Sequence, residues 1–98
     1  MATFLVTEVR EGLAWNPVLP LREQSGFLEH AAFMDALVAE GVVELGGPLA
    51  DQHQVVLVVK AESEQAVRER LQNDPWMGSH LSIASVQQWT ILLDARRP

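Results

Sequence analysis

The spacing of apolar residues divides the chain into segments of different period. Residues 3–9, TFLVTEV, are short, β-branched and roughly alternating, which predicts a first strand. Residues 10–25 hold Pro17 and Pro20 and keep no period, so they read as a loop, long for a domain of this size. Such a loop serves either as a lid or binding loop, or as an insertion packed on the surface. From Phe27 to Glu40 the spacing becomes helical. Ser25 or Gly26 caps the start, Glu29 suits the positive end of the helix dipole, and Gly41 closes the helix. VVELGGP (42–48) predicts a short strand running into a glycine pair and a proline, and 49–54 a polar turn. VVLVVKA (55–61) opens with an unbroken apolar run, the pattern of a strand buried on both faces. Ser63 caps a second helix, EQAVRERLQ, with Ala66, Val67, the stem of Arg70 and Leu71 inward, and Glu64 and Arg68 paired outside. Asn73-Asp74-Pro75 ends it. After WMGSH, residues 81–94 predict a last strand long enough to bend or bulge.

The order β-α-β-β-α-β contains two crossovers that must be right-handed, which leaves few topologies. The natural one is an α+β, ferredoxin-like βαββαβ fold: a four-stranded antiparallel sheet with both helices on one face, in a single domain spanning 1–98. Two helices cover one sheet face only, yet VVLVV and the FLV of the first strand are apolar on both. An uncovered apolar face is larger than a lone soluble chain usually shows. Packing sheet on sheet in a two-fold homodimer, a dimeric α/β barrel, removes it.

Composition narrows the partners. A formal charge of −6 with only seven Lys and Arg excludes a basic stripe for nucleic acid, and Arg10, Arg22, Arg96 and Arg97 sit near ends or in loops. No cysteine is present, so disulfides, thiol catalysis and thiolate metal sites are excluded, which fits a reducing compartment. MATFLVTEVREG places an acid within a short apolar run and reads as neither signal peptide nor membrane span. The expectation is a cytoplasmic protein.

One polar residue breaks the first helix's inner face. At about 100° per residue, Phe33, Met34, Leu37 and Val38 share a face, and His30 lies in its middle. Glu29, Asp35, Ala36, Ala39 and Glu40 point outward. Such a histidine is either a core residue bonded to a backbone carbonyl or a functional group held by a partner. A carboxylate would orient the ring and fix its proton. Asp74 is the candidate, because the start of helix one and the end of helix two share an end when the helices run roughly antiparallel. Otherwise Asp74 merely ends a helix in an Asp-Pro turn.

His30 followed by Phe33-Met34 and Leu37, then Gly41, Gly46-Gly47-Pro48-Leu49, Ala66, Asp74-Pro75-Trp76 and Trp89 resembles the YciI-like (YCII-related) family over about residues 3–93. The resemblance implies a ferredoxin-like fold, a dimeric α/β barrel, and an active site built on a His and an Asp, here His30 and Asp74. Most members have no established reaction. One relative class dehydrochlorinates a chlorinated hydroxyhydroquinone, and the wider superfamily includes muconolactone isomerases and monooxygenases. All handle small, often aromatic molecules with no metal or little cofactor help. The long loop with Trp15-Asn16-Pro17, and His80 where the family carries small or apolar residues, are departures that bear on the substrate.

Other positions are weaker candidates. Ser79 and His80 either contact substrate or are solvated turn residues, the second reading favoured for His80. Gly47, with Gly46 and Pro48, either lets backbone amides approach a ligand or ends a strand. Trp76 and Trp15 either wall an apolar pocket or pack in core or interface. Asp51-x-His53 lacks a third ligand at a sensible spacing, so no metal site is expected. Neither a phosphate loop nor a Gly-x-Ser-x-Gly elbow occurs, and no cofactor is expected. Arg68-Glu69-Arg70 reads as a solvated helix face.

The first functional expectation is a small-molecule enzyme of lyase or isomerase type, with His30 and Asp74 in hydrogen-bond reach and lining a cleft. The alternative is a non-catalytic dimeric ligand-binding or regulatory module on the same fold. A cofactor-free monooxygenase-type barrel is a third.

Overall fold

Four strands pair antiparallel throughout, in the order β2-β3-β1-β4: β1 (Ala2–Val9), β2 (Val43–Pro48), β3 (Gln54–Ala61) and β4 (Ser82–Gln88). Helix α1 (Phe27–Ala39) joins β1 to β2, and α2 (Glu64–Leu71) joins β3 to β4. This is the ferredoxin-like α+β arrangement. The computed structural model describes residues 1–96; Arg97 and Pro98 lie outside the described residues.

The period-2 register sorts the sheet's side chains. Phe4 and Val6 of β1 oppose Val59 and Leu57 of β3. They form one core with Leu37 of α1 and with Val67 and Leu71 of α2, so both helices cover the same face. On the other face, Leu5 and Thr7 oppose Val58 and Val56, and Leu45 of β2 is half exposed beside Val58. Neither helix reaches these side chains.

The helix termini follow their local chemistry. The Ser63 hydroxyl accepts from Ala66 N–H at 3.1 Å and caps α2. Glu64 and Arg68 pair at 2.9 Å on the outer side. The first helix starts differently from a side-chain cap: its N-cap is Gly26, and Ser25 bonds elsewhere. Gly41, at φ +77°, takes the left-handed turn that ends α1. Arg70 Nη2 ties the two helices together through Glu40 Oε1 at 2.9 Å.

Two expectations are corrected. The last strand ends at Gln88, not at 94. Gln88 already pairs with Phe4, so only the first residues of β1 remain to receive it; Trp89 N–H makes one more bond, to Thr3 O at 2.8 Å. Residues 91–96 then fold back over Thr3, Glu44 and Lys60, where Arg96 and Lys60 reach the Glu44 carboxylate at 3.6 and 3.3 Å. The expected irregularity does occur within the strand. Thr7 opposes Ser85 and Glu8 opposes Ile83, which leaves Ala84 as a bulge. The second correction concerns α1: Leu37 is buried, Phe33 and Met34 are half-buried, and Val38 is 54% exposed. Val38 lies about 100° beyond Leu37 on a flank the sheet does not reach.

Candidate active site around His30 and Asp74

His30 sits in the first turn of α1, its N–H bonded to Gly26 O at 3.1 Å. Asp74 follows α2, its N–H bonded to Leu71 O at 3.0 Å. Their side chains meet at 2.8 Å, Nδ1 to Oδ1. The same Asp74 oxygen accepts from Trp76 N–H at 2.9 Å and closes an Asx turn across Pro75. An ionised carboxylate only accepts, so Nδ1 of His30 carries the proton. In the neutral ring Nε2 then holds the free lone pair. No partner among the described residues bonds Nε2, and the imidazole is 15% exposed.

The ring's orientation is fixed by stacking as well. His30 lies parallel to the Trp76 indole at 4.0 Å between centroids, and His80 stacks on the same indole at 4.6 Å. Trp76 itself is 1% exposed, and its Nε1–H donates to Ser25 O at 2.9 Å. His80 departs from its expected role as a solvated turn residue. It is buried, with Nε2 2.9 Å from the Ser25 hydroxyl and Nδ1 2.9 Å from the Ser79 hydroxyl. Burial pushes its imidazole below the ordinary histidine range; the bond to Ser25 and the Asp74 charge pull it back, and His30 adds to the lowering.

Beneath the dyad lies a group that strand parity announces. Glu8 shares a face with Phe4 and Val6, so alternation alone sends it under the helices, at the β4 bulge. It is 1% exposed. Burial first, then the Asp74 charge, push its carboxyl up from 4.5 to about 7, against a smaller lowering by Arg10. Glu8 Oε2, Asp74 Oδ2 and Arg10 Nε are all buried without a hydrogen-bond partner among the described residues. Unmet polar atoms of this kind concentrate where a protein keeps chemistry rather than packing.

The site therefore combines an imidazole with a fixed tautomer, a carboxylate that holds it, and a second carboxyl that keeps its proton near neutrality. The family model for the YCII-related domain matches residues 8–90. The chain belongs to the YCII-related family. Among curated proteins, none matches it.

In this YCII-related domain the long loop is stitched to the site. Gly12 N–H and Ala14 N–H donate to His80 O and Ser79 O at 3.2 and 2.8 Å. A Cβ at Gly12 would overlap the Ser79 carbonyl, so only glycine permits this approach. Gln24 is buried and clamps the loop: its Nε2 donates to Asn16 O and Leu19 O, and its Oε1 accepts from Asn16 N–H. Neither glutamine nor Gly12 shows a signal by periodicity, because their contacts are to backbone.

The remaining candidates separate. Trp15 meets Trp76 edge-on at 5.7 Å, and its ring carries the Arg10 guanidinium at 4.8 Å. It walls a cavity of about 740 Å³ between the 10–21 loop and the 51–53 turn. His30 and Asp74 do not line that cavity. Trp76 is core rather than pocket wall. Ser79 turns its hydroxyl to His80 and to Trp76 O. Gly47 lies within edge strand β2, opposite Val56. Asp51 caps its own turn through His53 N–H and Gln54 N–H. Among the described residues no three His, Cys, Asp or Glu cluster as metal ligands, and no helix is long and apolar enough to cross a membrane.

Proposed function

We propose that this YCII-related protein is a cytoplasmic, homodimeric small-molecule enzyme of lyase or isomerase type, with His30 and Asp74 as a proton-transfer dyad. The observation that carries the reading is the 2.8 Å Nδ1–Oδ1 bond together with the unpartnered Nε2. Asp74 holds the ring in the tautomer whose Nε2 accepts a proton and stabilises the imidazolium once formed. The proton that Nε2 takes from a C–H acid returns to a neighbouring carbon or protonates a leaving group. Trp76 keeps the ring from rotating away. The residues needed come from one chain; a second copy would cover the open sheet face and close the barrel.

Proton abstraction is testable before a substrate is known. Small enolisable ketones and lactones are incubated with the protein in heavy water, and deuterium uptake is followed by NMR. Wild type should catalyse exchange on at least one compound, and His30→Ala should lose it by on the order of 10²-fold or more. Exchange that survives His30→Ala, or none with any compound, overturns the reading.

One observation favours a second reading, a non-catalytic ligand-binding module. The 740 Å³ cavity stands beside the dyad's ring stack but is not lined by the dyad. In that case ligands bind and leave unchanged.

A further inference from the structure

The cavity behind Trp15 holds a cation with little to do. Arg10 ends the helix-side row of β1 and is 7% exposed. Its side chain makes one hydrogen bond, Nη1–H to Gln52 O at 3.0 Å, and stacks on the Trp15 indole. No carboxylate oxygen of the described residues lies within 4.0 Å of it, although two carboxylates line the same cavity. Asp51 accepts from its own turn, and Glu11 is mostly exposed to solvent, 3.7 Å from His53. Glu8, the nearest acid along the strand, keeps its proton to about 7 and so supplies less than a full counter-charge at neutral pH.

A guanidinium has five N–H donors in a planar fork, and burying it unpaired is costly. A carboxylate is the group that satisfies that fork bidentately. The loop side of the wall is apolar, with Pro17, Val18, Leu19 and Leu21 facing the same space as the Trp15 ring, while Gln52 and His53 line the turn side. A volume of about 740 Å³ suits a small organic molecule. We infer that this cavity is a binding site for a small organic carboxylate with an apolar or aromatic body, its carboxylate on Arg10 and its body against Trp15 and the loop. Trp76 stands between this site and His30, so the ligand binds apart from the dyad, and the site does not depend on the dyad's chemistry.

Isothermal titration calorimetry with phenylacetate, hexanoate and neutral phenylacetamide tests it. Phenylacetate or hexanoate should saturate the protein, phenylacetamide should bind at least about tenfold more weakly, and Arg10→Gln should lower carboxylate affinity by about tenfold or more. His30→Ala should leave the affinity within about twofold, which separates this site from the proposed dyad. Should Arg10→Gln fail to fold, Val18→Glu places a repelling charge at the exposed rim without touching the core, and should weaken binding severalfold. No saturable binding of either carboxylate below about 10 mM overturns the inference. So does equal affinity for the amide, binding unchanged in both Arg10→Gln and Val18→Glu, or loss of binding in His30→Ala.

Discussion

At the residue scale, the helical wheel placed His30 inward, and the antiparallel run of the helices brought Asp74 to it across 44 positions. What the wheel could not show was the second carboxyl. Glu8 was legible only through strand parity, and parity is easily overlooked in TFLVTEV because Thr and Val occupy either face. Its buried carboxyl has a consequence for stability. The unfolded chain releases the Glu8 proton near 4.5, whereas the folded protein holds it to about 7. This group therefore favours the fold fully below about pH 4.5, loses that contribution as pH rises through 7, and at about 1.4 kcal/mol per pH unit the loss totals about 3 kcal/mol. Glu8→Gln, isosteric and neutral, should remove that slope. Urea unfolding at pH 5 and pH 8 should show the variant gaining on wild type by about 2–3 kcal/mol at the higher pH. An unchanged difference between the two pH values contradicts a buried, proton-holding Glu8.

At the element scale, strands and helices were readable because their apolar period is local. The 10–25 stretch was readable as a loop from its prolines, but its docking was not, since its order comes from bonds between its backbone and distant groups. Gln24 satisfies three backbone atoms of residues 16–19, and Gly12 lets the chain lie against the Ser79-His80 peptide. The end of β4 departs from its apolar pattern for a related reason: 81–94 is apolar enough for a strand, but β1 has no length left to pair with it. Gly12→Ala tests the loop's docking. The added methyl meets backbone atoms, which cannot rotate aside. Overpacking of this kind costs about 1–3 kcal/mol, so thermal unfolding should move down by roughly 5–15 °C. A melting temperature equal to that of wild type would show that the loop is not held there.

At the scale of the whole molecule, the open sheet face is the unresolved surface of the fold. Leu5 and Val56 lie on it half-buried, Leu45 is half exposed and Val58 is buried, while the segment after β4 folds over the Thr3–Lys60 end with Leu92 and Leu93 exposed. We expect a second copy to cover it, sheet on sheet. Sedimentation equilibrium at micromolar concentration should give twice the 10.9 kDa of one chain, and Leu45→Lys with Val56→Lys should return it to a monomer. A wild-type mass of 10.9 kDa removes the argument. The sequence made this face visible through the unbroken VVLVV run, but not the part its own C-terminal segment occupies.

The Trp76 stack also gives the molecule an optical property. The chain has three tryptophans and no tyrosine, so its near-ultraviolet emission comes from indoles alone. Two of the three, Trp15 and Trp76, touch each other, and Trp76 lies flat against both His30 and His80. An imidazolium pressed on an indole draws electron density from its excited state and quenches it, whereas a neutral imidazole does so far less. The brightness of this protein is thus tied to the charge on two rings at its candidate site, and the site can be watched without any label.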